Sequence, residues 1–221
     1  MQAYQYINKM IPPLKPTDKV ELGLTWMEEL RTNILPVLED GQFKGLITDE
    51  MLYDLNNPAI PVGEVALDTA GCYVFSEKHI YDVLKVSSEY RLAMVAVLDR
   101  EYAYQGVVTI ADAIAAFADT ISIQTEGGVL ILSMPMTEYS LYDIARIIES
   151  ENAKILSSFI NSDPLDENKI KVTLKVDQPE LRHIRATLER FGYKVINHYQ
   201  EEVGVSREQD RLGNLLRFLD I

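Results

Sequence analysis

The sequence has little of several residue types that particular classes of protein require. It contains 1 cysteine and 3 histidines in 221 residues, which excludes an intramolecular disulfide and leaves too few soft ligands for a thiolate cluster. No apolar run approaches the length of about 18 residues that is needed to cross a bilayer. Residues 1–9 lack the apolar core of a signal peptide. A reducing, cytoplasmic location without membrane insertion is therefore predicted.

Basic residues are also scarce relative to acidic ones. The chain holds 21 Lys and Arg against 34 Asp and Glu, a net charge of −13. A chain this acidic, without a basic stripe, is a poor partner for nucleic-acid backbones. Any anion that it binds must be held by local donors such as hydroxyl groups and helix N-termini.

Motifs of catalysis are missing as well. The sequence has no Gly-x-Ser-x-Gly, no Gly-x-Gly-x-x-Gly and no Walker phosphate loop. The histidines do not show metal-ligand spacing, and Cys72 is expected to be a small core residue rather than a nucleophile. These absences predict a protein that is not an enzyme and that requires no metal or cofactor.

What the sequence does contain is a repeat. GLIT at Gly45–Thr48 and GVVT at Gly106–Thr109 begin 61 residues apart, and the surrounding stretches 11–55 and 71–116 align with one inserted residue before the second glycine. Each copy is predicted to form a short strand, a helix, a strand, a turn, a strand and a helix. A unit of about 50 residues buries too little surface to be stable alone, so we expect the two copies to share a core.

The first copy resembles a cystathionine-β-synthase (CBS) motif in PLKPTD at Pro13–Asp18 and ILPVLEDGQFKGLIT at Ile34–Thr48. The tandem is therefore similar to a CBS pair, or Bateman module. The second copy is less similar, because Ala96 stands where the first copy has Pro36. The resemblance implies a CBS pair over residues 1–124, with motif one at about 8–56 and motif two at about 68–120.

Residues 127–200 show a different pattern. Apolar periodicity predicts the order strand, helix, strand, strand, helix, strand, which is the ferredoxin-like βαββαβ arrangement. Asp177 is the expected N-cap of the second helix and Gly192 its expected stop. After a CBS pair, this order resembles an ACT-type regulatory domain, as in CBS–ACT proteins related to acetoin-utilisation regulators. The predicted fold class is α+β.

Two further expectations concern this second half. The loop at residues 134–140 lacks the glycine that amino-acid-binding ACT relatives use, so a dimerising role is expected and amino-acid sensing is the alternative. The tail at residues 201–221 is predicted to form a helix that packs against its own chain or a partner subunit. Its apolar face carries Leu212, Leu215, Leu216 and Leu219.

The repeated threonine carries the candidate binding chemistry. Thr109 is expected where a strand ends and a helix begins, a position at which a hydroxyl and free N–H groups can bind phosphate. Asp112 lies one helical turn later on the same face. The CBS resemblance implies that Thr109 touches the phosphate and Asp112 the ribose of an adenosyl ligand, with the adenine between Tyr73–Val74 and the strand of Ala96. The alternative is that Thr109 and Asp112 only cap the helix.

The first copy keeps only half of this pair. Thr48 supplies the hydroxyl, but Met51 stands at the position that corresponds to Asp112. An empty or altered first site is therefore expected.

Taken together, these patterns predict a cytoplasmic regulatory homodimer whose CBS pair binds AMP, ADP, ATP or S-adenosylmethionine and signals to a target protein. The alternative is a CBS pair that binds no ligand and serves only in dimerisation or interaction.

Overall fold

The computed structural model describes residues 1–55, 57–67 and 71–199, where helices and strands are mixed as predicted. The chain divides into two compact units. Unit one is Met1–Ala118, and unit two begins at Asp119. The predicted C-terminal helix at residues 201–221 lies outside the described residues.

Unit one contains both copies of the repeat. The predicted element order is observed in copy two and, except for the first strand, in copy one. In copy two, β3 pairs with β4 in parallel and β4 with β5 antiparallel. In copy one, a single parallel bridge between Leu14 and Val37 takes the place of the first strand. The elements are α1 (Val20–Leu30), β1 (Ile34–Glu39), β2 (Gln42–Thr48), α2 (Asp49–Tyr53), β3 (Tyr73–Phe75), α3 (Ile80–Tyr90), β4 (Met94–Leu98), β5 (Tyr104–Thr109) and α4 (Ile110–Ala118).

The two copies repeat each other in backbone detail. The helices α1 and α3 both end in a left-handed residue, Arg31 with φ 52° and Arg91 with φ 55°. The inserted residue of copy two lies in the hairpin loop, because Leu38 pairs with Phe43 whereas Leu98 pairs with Tyr104. The similarity therefore extends from the sequence to the geometry of single turns.

An apolar cluster joins the two copies, as the small size of each requires. It consists of Ile34 and Leu46 from copy one and Cys72, Met94 and Val107 from copy two, all buried. We call it the shared cluster. Each copy also has a core of its own, between its sheet and its helices.

The first ten residues, here called the N-terminal segment, lie against copy two. The amide of Ala3 donates to the carbonyl of Lys78 at 2.8 Å, and the amide of Asn8 donates to the carbonyl of Val107 at 2.7 Å. Ala3 is completely buried. The segment is thus an integral part of unit one.

Unit two begins with a short helix, α5 (Ile121–Gln124), and then follows the predicted strand–helix–strand–strand–helix–strand order. Its strands form one antiparallel sheet in the order β7-β8-β6-β9. Alternate residues of β6 are buried against the apolar faces of the two helices. The elements are β6 (Gly128–Pro135), α6 (Leu141–Ser150), β7 (Ile155–Asp163), β8 (Asp166–Val176), α7 (Arg182–Arg190) and β9 (Lys194–Tyr199).

One capping prediction in unit two is wrong. Asp177 is not the N-cap of α7, because this helix begins at Arg182 and follows Leu181 without a side-chain cap. The carboxylate of Asp177 instead accepts the amide of Lys154 at 2.7 Å, which ties the end of β8 to the start of β7. The predicted stop is confirmed, since Gly192 has φ 89° just beyond the last turn.

Replacing Gly106 by alanine is expected to destabilise unit one by about 2–4 kcal/mol. Gly106 has φ 143°, and a Cβ there would collide with Cγ2 of Ile7. Urea unfolding followed by the fluorescence of Trp26, the single tryptophan, reports on unit one. Gly41→Ala is the control, because Gly41 has φ 81° but no atom within 4 Å of the added carbon. Equal losses in the two variants would contradict the role assigned to Ile7.

Candidate functional site

Thr109 and Asp112 are in direct contact at the junction of β5 and α4. The Thr109 hydroxyl accepts the amide of Asp112 at 3.0 Å and donates to Oδ2 of Asp112 at 2.6 Å. The same carboxylate oxygen accepts the amide of Thr109 at 3.3 Å. The predicted pair is therefore brought together, in the reciprocal geometry of a helix cap.

One backbone N–H in the first turn of α4 has no hydrogen-bond acceptor among the described residues. The amide of Ile110 donates to the carbonyl of Ala93 at 2.9 Å, and the amide of Asp112 is used by Thr109. Ala111 has no acceptor for its amide within the described residues. An anion placed beside Ala111 would meet this N–H and the positive end of the helix dipole.

A cleft of about 640 Å³ opens beside this helix start. Three parts of unit one form its walls besides the start of α4: the end of α1, the start of β4 and the N-terminal segment. The lining residues are Asn8, Met10, Ile11, Leu30, Arg31, Thr32, Asn33, Ala93, Met94, Thr109, Ile110 and Ala111. Both copies of the repeat thus contribute to one cleft.

Asp112 lies behind this wall, bonded to two residues that line it. Besides Thr109, it accepts the side-chain amide of Asn8 at 3.3 Å. All of these bonds end on Oδ2, and Oδ1 accepts none from the described part of the chain. One carboxylate oxygen is therefore held, and the other remains able to accept hydrogen bonds.

The three residues predicted to enclose adenine lie together, and none of them is among the residues that line the cleft. Tyr73 pairs with Ala96 in the register of β3 and β4, and Val74 and Ala96 are buried in the sheet. Tyr73 packs against the rings of Phe43, Phe75 and Tyr102. Ala96 lies two residues after Met94 on the same face of β4. Both side chains are buried, and of the two only Met94 lines the cleft.

The corresponding position in copy one lacks the carboxylate, as its sequence indicates. The hydroxyl of Thr48 accepts the amide of Met51 at 3.3 Å and so caps α2. The side chain of Met51 packs against the core of copy one. Asp49 does not compensate, because its carboxylate accepts the neighbouring amide of Glu50.

The sequence did not predict four polar residues that line the cleft, namely Asn8, Arg31, Thr32 and Asn33. Arg31 is exposed, lines the cleft and forms no ion pair with the described residues. Its position could have been noticed, because Arg91 matches it 60 residues later. Asn8 lies before the aligned stretch 11–55, so no residue of the second copy corresponds to it in the sequence. Arg31 adds the positive charge that a phosphate-binding cleft would use.

A second cleft, of about 390 Å³, lies in unit two beside α7 and β9. Its basic side chains are paired with acidic ones, Arg185 with Glu189 at 2.9 Å and Arg182 with Glu180 at 3.5 Å. This second cleft therefore offers less net positive charge to an anionic ligand than the cleft at Thr109.

The described residues contain no group of three or more His, Cys, Asp or Glu side chains that could hold a metal ion. They also contain no helix that is both long and apolar enough to cross a bilayer.

A scan against protein-family models found no match. Solved structures similar to this chain include proteins with CBS domain pairs. One is a CBS domain pair/ACT domain protein from Thermotoga maritima, with 25% identity over 54% of this chain and 98% of that chain, at a TM-score of 0.49. Another is CBSX2 in complex with AMP, with 18% identity over 52% of this chain and 95% of that chain, at a TM-score of 0.47. A third is a CBS domain pair in complex with 5′-methylthioadenosine and S-adenosyl-L-methionine, with 19% identity, 53% and 96% coverage and a TM-score of 0.45.

Cys72 is expected to resist alkylation in the folded protein. Burial, and to a lesser degree the charge of Glu89, raises the pKa of its thiol to about 11, so very little thiolate is present at pH 8. Reaction with iodoacetamide at pH 8 should be at least about 100-fold slower than in urea-unfolded protein. Mass spectrometry of the single cysteine measures both rates, and similar rates would show that the shared cluster is open to solvent.

Proposed function

We propose that this chain is a regulatory protein that binds an adenine nucleotide or a related adenosyl compound in the cleft at Thr109. The observation that carries the proposal is the composition of that cleft. It combines a hydroxyl and an N–H at a helix start, a carboxylate behind them, and a guanidinium from the other copy. Among the described residues, this N–H, one oxygen of the carboxylate and the guanidinium have no partner. In this proposal the two copies form a CBS pair.

The phosphate would lie between the start of α4 and Arg31. Ala111 offers its amide, and Thr109 can turn its hydroxyl hydrogen away from Asp112 while its oxygen still accepts the amide of Asp112. Arg31 faces the same space with several N–H donors. These local donors suit a chain whose overall charge of −13 repels anions.

The ribose would be held by Asp112. A carboxylate oxygen can accept hydrogen bonds from both hydroxyls of a vicinal diol, and such bonds to a charged acceptor are stronger than neutral ones. Because Oδ2 is already held by Asn8 and Thr109, Oδ1 would meet the ribose with little loss of side-chain entropy.

The base would lie against the apolar part of the wall. Ile11, Leu30, Met94 and Ile110 line the cleft and come from both copies. Methionine adapts readily to flat aromatic rings. In this proposal these side chains take the place of Tyr73, Val74 and Ala96, which the sequence resemblance assigned to the base.

Ligand binding would be transmitted through the relation between the two copies. Arg31 belongs to copy one, whereas Thr109 and Asp112 belong to copy two, so a ligand that contacts all three favours one arrangement of the pair. A ligand shifts a conformational equilibrium by its difference in affinity for the two states. With Met51 in place of the acid, copy one is proposed to bind no ligand of this kind.

Unit two is proposed to be an ACT-type domain of ferredoxin-like topology that joins two protomers into a homodimer. Its support is the element order and the sheet order β7-β8-β6-β9. The loop after β6 contains no glycine, so an amino-acid ligand is not part of the proposal. The protein is proposed to act in the cytoplasm, on a target protein, without catalysis.

Asp112→Ala is expected to weaken ligand binding by about 1.5–3 kcal/mol, roughly 10- to 150-fold, because hydrogen bonds to a charged group are lost. A thermal-shift panel of AMP, ADP, ATP, S-adenosylmethionine and NADH identifies the ligand, since a compound at 100 times its Kd stabilises by about 2.7 kcal/mol. Calorimetric titration then gives Kd for each variant. Asp49→Ala is the control, because Asp49 also lies in the first turn after a repeated threonine.

The outcomes of this experiment separate the two functions considered. If no panel compound raises Tm, the ligand-binding proposal is wrong and the interaction-scaffold alternative is favoured. If a compound binds and Asp112→Ala retains its affinity, the ligand binds elsewhere.

Arg31→Ala is expected to weaken the binding of AMP by roughly 10-fold or more, because a charged hydrogen bond to the phosphate is lost. Binding of 5′-methylthioadenosine, which has no phosphate, should change less than about twofold. Arg91→Ala is a matched control, since Arg91 has the same left-handed backbone at the end of α3. Equal effects of Arg31→Ala on the two ligands would contradict a phosphate contact.

A further inference from the structure

The N-terminal segment runs from the start of α3 to the candidate site. It starts beside α3, where the amide of Ile80 donates to the carbonyl of Met1 at 3.0 Å. It ends at the cleft, which Asn8 and Met10 help to line. The segment therefore links the start of α3 to the position proposed for the ligand.

Asn8 is held in a defined orientation within this segment. Its amide donates to the carbonyl of Val107 at 2.7 Å, and its side-chain oxygen accepts the amide of Met10 at 2.9 Å. These two bonds direct the remaining polar group, the side-chain NH₂, to Oδ2 of Asp112 at 3.3 Å. The contact thus follows from how the backbone on both sides of Asn8 is fixed.

Ile7, the residue before Asn8, contributes to the same placement. It packs so closely on Gly106 that this position has no room for a side chain. Gly106 begins the GVVT phrase that ends in Thr109, so one short strand receives the segment and also presents the hydroxyl of the candidate site.

We propose that Asn8 is a positioning residue of the ligand site and that docking of the N-terminal segment is coupled to ligand binding. This inference rests on the proposed function. Asn8 acts through Asp112: it holds Oδ2, so that Oδ1 is directed to the ligand. Linkage is reciprocal, so a ligand that needs the held carboxylate also stabilises the docked segment.

The first test is the affinity of Asn8→Ala for AMP, measured by calorimetric titration of the full chain. We expect a roughly 3- to 10-fold weaker Kd, which corresponds to one hydrogen bond of moderate strength. Asn57→Ala is a matched control, because the side chain of Asn57 also accepts the amide two residues later, at 3.0 Å. If both variants bind AMP as tightly as the wild type, the inference is wrong.

The second test separates positioning from a general structural effect. Asn8→Asp keeps an acceptor for the amide of Met10 but places a second carboxylate beside Asp112. Two adjacent carboxylates raise the pKa of one of them, so the ratio of variant to wild-type affinity should be lowest at pH 8 and recover as the pH falls towards 5. Asn57→Asp should show a constant ratio, and a constant ratio for Asn8→Asp would overturn the inference.

The third test measures the coupling from the side of the segment. Hydrogen exchange at the amides of residues 2–10 should slow when AMP binds the wild type and should be faster in Asp112→Ala even without AMP. If the wild type binds no compound of the panel, the proposed function fails, and exchange in Asp112→Ala still shows whether Asp112 holds the segment. If AMP binds and exchange in the segment is unchanged, the coupling is refuted and the proposed function stands.

Discussion

The shared cluster of Ile34, Leu46, Cys72, Met94 and Val107 is the contact on which the candidate site depends. Neither copy of the repeat is large enough to bury an adequate core alone, so their pairing is required for folding. Met94 belongs both to this cluster and to the wall of the cleft. Pairing therefore brings Arg31 of copy one and Thr109 of copy two to the same space. Because the lining residues come from both copies, the shape of the cleft depends on how the two copies pack.

The two copies differ in the residue that follows the repeated threonine by three positions, and this difference shows what capping the helix requires. Thr48 caps α2 through its hydroxyl alone, with Met51 in place of an acid, so a cap of this kind does not need the carboxylate that copy two carries. Asp112 makes contacts that a cap of this kind does not need, which supports the proposal that it binds a ligand. One of its oxygens is held by Asn8 and Thr109, and the other accepts no hydrogen bond from the described residues.

The sequence predicted the elements of both units well where the signal was local. The repeat, its single inserted residue and the element order of unit two all follow from apolar periodicity and turn residues. Asp177 was misassigned because its carboxylate is used by Lys154, 23 residues earlier, and no periodicity reports such a contact. The resemblance assigned Tyr73–Val74 and the strand of Ala96 to two walls around the base. None of these three residues lines the cleft at Thr109, and the assignment stays a prediction.

The contact of Thr109 with Asp112 could be predicted from the sequence, because residues three apart at a helix start lie on the same face whatever surrounds them. The loss of the acid in copy one is equally visible in the sequence. Arg31 and Asn8 became part of the site only in the tertiary structure, since they lie 78 and 101 residues before Thr109 in the chain. Their proximity to Thr109 results from the burial of apolar surface between the copies and under the N-terminal segment. Apolar burial is not directional, so it is the particular packing of these side chains that decides which distant polar groups meet.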